Sequence, residues 1–134
     1  MKHLLIALIL LLPITASAFS VDEMPKKFCW QEIFINKNIG FYYDRCSIKT
    51  IGKNKVKAWF KTEYLSAKHL TDATEVISQK YLDCSNNQMA EVQTLSYLSG
   101  RLTEKELSKN IQYKYYPSIA ATQPYMDMFF RTCW

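Results

Sequence analysis

The 134 residues carry 17 Lys+Arg against 12 Asp+Glu, a net charge of +5, with 3 Gly and 4 Cys. All 3 Trp, 9 Tyr and 7 Phe lie after residue 18, which is too aromatic for a disordered chain or a coiled coil. Glycines at only Gly40, Gly52 and Gly100 exclude a glycine-rich phosphate loop. At the start, Lys2 and His3 precede the apolar run Leu4 to Leu12; Pro13 breaks it and Ala16-Ser17-Ala18 follows. A charged start, a short apolar stretch and a small-x-small site are the parts of a secretory signal, and the run falls short of the roughly 20 residues that span a bilayer. The pattern predicts a signal peptide over 1–18, with cleavage after Ala18, and one domain over 19–134. Phe19, not Cys, follows the site, so no lipid anchor is expected. The mature chain, without a membrane span, is expected outside the cytoplasm, in the periplasm or at the cell surface.

Residues 19–27 are polar and read as a lead-in. Phe28 to Ile35 is rich in β-formers and predicts a first strand, followed by the turn cluster Asn36 to Gly40. Phe41-Tyr42-Tyr43 and Cys46 to Lys49 are two short extended pieces, and Ile51-Gly52-Lys53-Asn54 is a tight turn. Lys55 to Leu65 alternates with period two. Val56, Ala58, Phe60, Thr62 and Tyr64 fall on one face, and Lys55, Lys57, Trp59, Lys61 and Glu63 on the other, which marks a sheet with one wet side. Residues 66–73, with His69, read as a loop or helical turn. Glu75 to Cys84 and Gln88 to Leu98 are strands joined by the hairpin signal Ser85-Asn86-Asn87. Arg101 to Asn110 is charged, and its leucines suggest one helical turn or a loop. Ile111 to Tyr115 alternates as another strand until Pro117. Thr122 or Gln123 can cap a helix with Pro124 in its first turn. Tyr125, Met128, Phe129, Thr132 and Cys133 then share one helical face. The fold class is α+β: an antiparallel, strongly curved sheet of about six strands with a C-terminal helix packed on it.

Cys29, Cys46, Cys84 and Cys133 all lie in the mature chain, and an even number in a small exported domain predicts disulfides. No Cys-x-x-Cys is present, only His69 is available to assist a metal, and the spacing matches no zinc finger. No metal and no cofactor is expected. Three pairings are open. The favoured one joins Cys29–Cys46, on adjacent short elements, and Cys84–Cys133, because the helix delivers Cys133 to the sheet where Cys84 ends a strand.

This order of elements resembles the surface-adhesin protein E family of Gram-negative bacteria. Tyr43-Asp44 with Ser47-Ile48 is similar to that family's Tyr-x-Asp-x-x-Ser-Ile stretch. Lys57-Ala58-Trp59-Phe60-Lys61 is similar to its central strand, Asp83-Cys84 to its strand ending in cysteine, and Ser96-Tyr97-Leu98-Ser99-Gly100 to its Tyr-x-x-Gly. Ile119 lies fourteen residues before Cys133, as the family's isoleucine does before its last cysteine. The likeness covers roughly residues 30 to 133. Ala121 and Gln123 depart from the family's proline and serine, the pair Cys29 and Cys46 looks like an addition, and 101–110 does not match. The resemblance implies a sheet with a C-terminal helix, a Cys84–Cys133 bridge, and binding of host or matrix proteins at the cell surface.

The residues themselves name no reaction, and no enzyme is expected. His69 stands in a polar loop with no nucleophile placed beside it. Glu104 and Glu106 flank Lys105 as a solvated surface would. Tyr42, Tyr43, Tyr113, Tyr115 and Tyr116 are explained by cross-strand packing. One charge feature stands out: Lys55, Lys57 and Lys61 share a strand face with Trp59, and no acid intervenes from Lys49 to Lys61. Ammonium groups spaced about 6–7 Å apart, with an aromatic among them, suit a protein partner with an acidic patch. The competing reading is a wet face or a lysine-protected edge strand. Nucleic acid is not expected at so modest a charge outside the cytoplasm. The function reading is therefore an exported binding protein resembling protein E adhesins. The alternative is a periplasmic inhibitor or small-ligand-binding accessory protein.

Overall fold

The computed structural model of the chain describes residues 22–66, 73–115 and 123–133. The expectations for the signal peptide 1–18, His69, Tyr116, Pro117, Ile119 and the Thr122 cap lie outside the described residues. The elements run β1 (Trp30–Ile35), β2 (Ile39–Asp44), β3 (Lys49–Gly52), β4 (Lys55–Tyr64), β5 (Glu75–Asp83), β6 (Gln88–Leu98), β7 (Arg101–Leu107), β8 (Lys114–Tyr115) and α1 (Gln123–Cys133).

All pairings are antiparallel, in the order β1-β2-β4-β5-β6-β7, with β3 added to β4 and β8 added to β6. Among the described residues the sheet thus has eight strands rather than about six. The difference has a simple origin. β2 lies along Phe60–Tyr64 of β4 and β3 along Lys55–Lys57 of the same strand, so a break at residues 45–48 divides one neighbour of β4 into two. β7 and β8 likewise share β6, beside Gln93–Leu98 and Gln88–Met89. The strong curvature expected from the sequence is also corrected. β1 and β7 are the two edges and do not meet. Closure requires those edges to pair; here α1 buries one face by stacking on β1, β2 and β4, and an open sheet is enough for that.

The helical or looped reading of 101–110 is overturned as well, since Arg101–Leu107 is a strand paired with β6. Ser99 and Gly100 both have positive φ, 49° and 83°, the two-residue turn whose twist matches a hairpin and returns the chain as a strand. Leu102 and Leu107 are about half exposed, so their spacing reports no buried helical face. Two further boundaries shift. The tight turn is Lys53-Asn54, with Asn54 at φ 55°, and Ile51 and Gly52 belong to β3. Of the alternating stretch 111–115, only Lys114 and Tyr115 pair.

The main core lies between sheet and helix. Phe41 and Tyr43 of β2, Ala58 and Phe60 of β4, Leu82 of β5 and Met89 of β6 pack against Met128 and Phe129 of α1. The period-two and i, i+4 patterns placed these residues on facing surfaces. Thr132 is buried on the same side and donates to the Met128 carbonyl at 2.6 Å. Arg131 stays exposed in the last turn, where a cation suits the helix dipole. Cys133 is bonded to Cys84, and Cys29 to Cys46.

Candidate binding face

The other face of the sheet carries the predicted lysine row, and it is not simply wet. Register places Trp59 of β4 beside Gln79 of β5, and Gln79 beside Gln93 of β6. Trp59 is 3% exposed, Gln79 2% and Gln93 3%. Trp59, Ile77 and Leu95 form a second small core, with Phe28, Trp30 and Tyr97 packed around it. The polar lead-in covers it. Phe28 stacks on Trp30 at 4.4 Å between ring centres and meets Trp59 edge-on at 6.0 Å. The Met24 sulfur accepts from the Tyr97 hydroxyl at 3.7 Å. Residues Asp22 to Phe28 thus form a strap across the sheet.

Asp22 anchors the strap. Its carboxylate accepts from Lys57 Nζ at 2.6 Å and from Gln79 Nε2 at 2.9 Å, and its carbonyl accepts from Gln93 Nε2 at 2.8 Å. Gln93 Nε2 also donates to Gln79 Oε1 at 2.9 Å. Two buried glutamine side chains would be costly without partners, and Asp22 completes their network. The Lys57 ammonium, above all, with the Gln79 amide and the charge of Lys49, holds the Asp22 carboxyl below its ordinary value against the opposing effect of burial.

The predicted partner residues each have a neighbour in the chain. Lys57 pairs with Asp22 across the sheet face. Lys61 pairs with Glu63 at 3.0 Å and sits over Trp30 at 5.0 Å and Tyr42 at 4.7 Å. Gly40 permits that aromatic placement, because a Cβ there would meet the Tyr42 ring at 2.9 Å. Burial, then the charge of Glu63, raises the Tyr42 phenol above its ordinary value. Lys55 lies over Tyr113 at 5.2 Å, and burial raises that phenol too, followed by the charge of Asp83. Trp59 is floor rather than surface. The sequence reading missed the strap, Gln79 and Gln93. Two glutamines at matching depths in the strands of one hairpin were the available signal.

Asp44 is fully buried, and its Oδ1 accepts from the N–H groups of Cys29 at 2.7 Å and Cys46 at 3.3 Å. The Arg45 N–H donates to the Cys29 carbonyl at 3.1 Å. The aspartate of the family-like stretch therefore gathers the backbone around one disulfide. Cys29, Asp44 and Cys46 bring two sulfurs and a carboxylate within 4.8 Å, but sulfurs joined to each other are not the thiolates that bind metals. Asp83 plays a comparable local part after β5. The Asn86 amide and the N–H groups of Asn86 and Ser85 hold its carboxyl below the ordinary value, against the opposing effect of burial. A separate polar cleft of about 280 Å³ lies beside β6, lined by Met89, Glu91, Ser108, Lys109, Asn110, Gln112 and Lys114. Glu91 there pairs with the largely buried Lys80 at 2.6 Å. Among the described residues, no helix is long and apolar enough to cross a membrane.

No curated protein and no solved structure matches the chain. The sequence model of surface-adhesin protein E matches residues 30–133, from the first residue of β1 to the cysteine that ends α1. It leaves out the strap and Cys29. It takes in the sheet, the helix and the Cys84–Cys133 bridge between them, which is the whole framework described above, and on that match the chain belongs to the surface-adhesin protein E family.

Proposed function

We propose that this adhesin-family protein is an exported, non-enzymatic binding protein that engages host or matrix proteins at the cell surface, and that Lys55, Lys57 and Lys61, on the β4 face whose floor is Trp59, contribute to the partner site. Family membership over residues 30–133 carries the reading. Two disulfides suit an oxidising compartment. Three lysines on one face, with Lys49 beside Lys57 in register, favour a partner of acidic surface. Labelling of intact cells with a membrane-impermeant reagent tests the location, and binding of the purified oxidised protein to immobilised matrix proteins tests the activity. Labelling together with saturable, salt-sensitive binding is expected. Protection on intact cells, relieved only by permeabilising the envelope, overturns the surface reading. The polar cleft beside β6 favours a second reading, a periplasmic accessory protein that takes a small polar ligand. That reading predicts protection on intact cells and no matrix binding.

A further inference from the structure

We infer that the site held by Asp22 is a receptor for extended peptide segments that present a carboxylate, and that the N-terminal strap is its resident occupant in cis. This rests on the binding-protein reading and deepens it by naming the partner chemistry. Three donors from three adjacent strands converge on one residue: Lys57 Nζ and Gln79 Nε2 on a carboxylate, Gln93 Nε2 on a backbone carbonyl. Gln93 Nε2 also donates to Gln79 Oε1 at 2.9 Å, a bond independent of the strap that orients the two amides relative to each other. Such a constellation reads an extended segment by its carboxylate and its main chain together. Lys49, whose charge also reaches Asp22, adds long-range attraction for acids.

The Asp22 end of the strap is held by polar contacts that a competing carboxylate can replace, while Phe28 stays packed on Trp30 and Trp59. The Asp22 side of the Lys57 ion pair is 40% exposed, so water and a competing acid can reach it. The strap has no strand pairing among the described residues. It is tied covalently only at its far end, through Cys29. The neighbouring lysines differ. Lys61 is paired with Glu63 of its own strand, and Lys55 lies over Tyr113, so Lys57 is the member of the row whose partner a competitor can replace. The strap also gives the shape of the competitor. Met24, two residues after the acid, reaches Tyr97, so the site takes an extended segment with an acid and an apolar residue two positions on.

The probe is an acetylated, fluorescein-labelled peptide of residues Asp22 to Phe28, titrated by anisotropy into the full mature chain with both disulfides intact. Asp22→Asn in the chain removes much of the self-competition, and the peptide is expected to bind that variant about five-fold tighter than the parent, because affinity scales with the fraction of open site. Adding Lys57→Gln to that variant, or changing the aspartate of the peptide to asparagine, should abolish the gain, and added salt should weaken binding. Circular dichroism confirms folding of each variant. Equal affinity for parent and Asp22→Asn chains, insensitivity to Lys57→Gln, or no binding at all overturns the proposal. A concentration-dependent dimer of the parent chain that exchanges straps overturns it too, by making a second copy the occupant. A chain that is exposed on cells and binds matrix proteins, yet fails these tests, keeps its proposed function and loses this site.

Discussion

On one side of the sheet, Phe41, Phe60, Leu82 and Met89 meet Met128 and Phe129 of a helix tied down by Cys84–Cys133. On the other, buried Trp59, Ile77 and Leu95 lie among Gln79, Gln93 and a row of lysines, under a strap held by Asp22 at one end and Phe28 at the other. The first side is closed by apolar contact and a covalent bond. The second is closed at one end by Phe28 on Trp30 and Trp59 and at the other by hydrogen bonds and an ion pair at a water-accessible rim. Apolar burial is non-directional and hard to replace piecemeal, whereas a carboxylate can be exchanged for another carboxylate. Stability is therefore expected to concentrate on the helix side, and on our proposal the exchangeable contacts lie on the strap side.

The comparison breaks most sharply at Phe60, which is fully buried between sheet and helix. Phe60→Ala should cost about 3–5 kcal/mol in urea unfolding. A loss below about 1 kcal/mol would mean that the helix side is not the stability-bearing side. Next come the disulfides. Replacing Cys84 and Cys133 together by serine opens a 49-residue separation and should cost about 4 kcal/mol, against about 3 kcal/mol for Cys29 with Cys46, separated by 17. Denaturation of the two double variants side by side checks the order.

Effects on the strap side should be smaller. Gln79→Leu removes a donor to Asp22 and the acceptor for Gln93, leaving a buried amide short of a partner. About 1–2 kcal/mol is expected, with a change in tryptophan fluorescence from Trp30 and Trp59. Asp22→Asn is the mildest, about 1 kcal/mol or less, because its side chain is 40% exposed. The pH dependence follows from the same group. The folded carboxyl lies below the ordinary 3.8, so its contribution is full above that value and is lost as pH falls through the lower, folded one. Asp83, lowered by its turn, acts in the same direction. Acid titration below about pH 4 should change tryptophan fluorescence before far-ultraviolet dichroism collapses. That early step should be absent in Asp22→Asn. A single coincident transition in the parent chain would show that the strap does not detach independently of the core.

Much of the helix side was legible in the sequence. Alternation in β4 separated Phe60 from Trp59, helical spacing placed Met128, Phe129 and Cys133 together, and strand ends brought the cysteines into range. Those inferences need only the local periods of strand and helix. The strand count and β7 went wrong for a related reason. Where one strand serves two short neighbours, or where a two-residue turn sends a charged segment back, hydrophobic period is silent and backbone geometry decides. The signal at Ser99-Gly100 was present but was outweighed by the leucine spacing.

The sequence by itself determined the oxidisable cysteines, the two faces of β4, the amphipathic helix and the family, because each is written in local spacing or residue order. It also put Lys55, Lys57, Trp59 and Lys61 on one face. Only the tertiary structure decided what that face meets. Asp22 lies 35 residues from Lys57, 57 from Gln79 and 71 from Gln93, and no periodicity links a polar lead-in to donors so far along the chain. Two buried glutamines look like ordinary strand residues until antiparallel register sets them side by side. Their amides then need an acceptor, and the fold supplies it from a segment whose composition says only that it is polar.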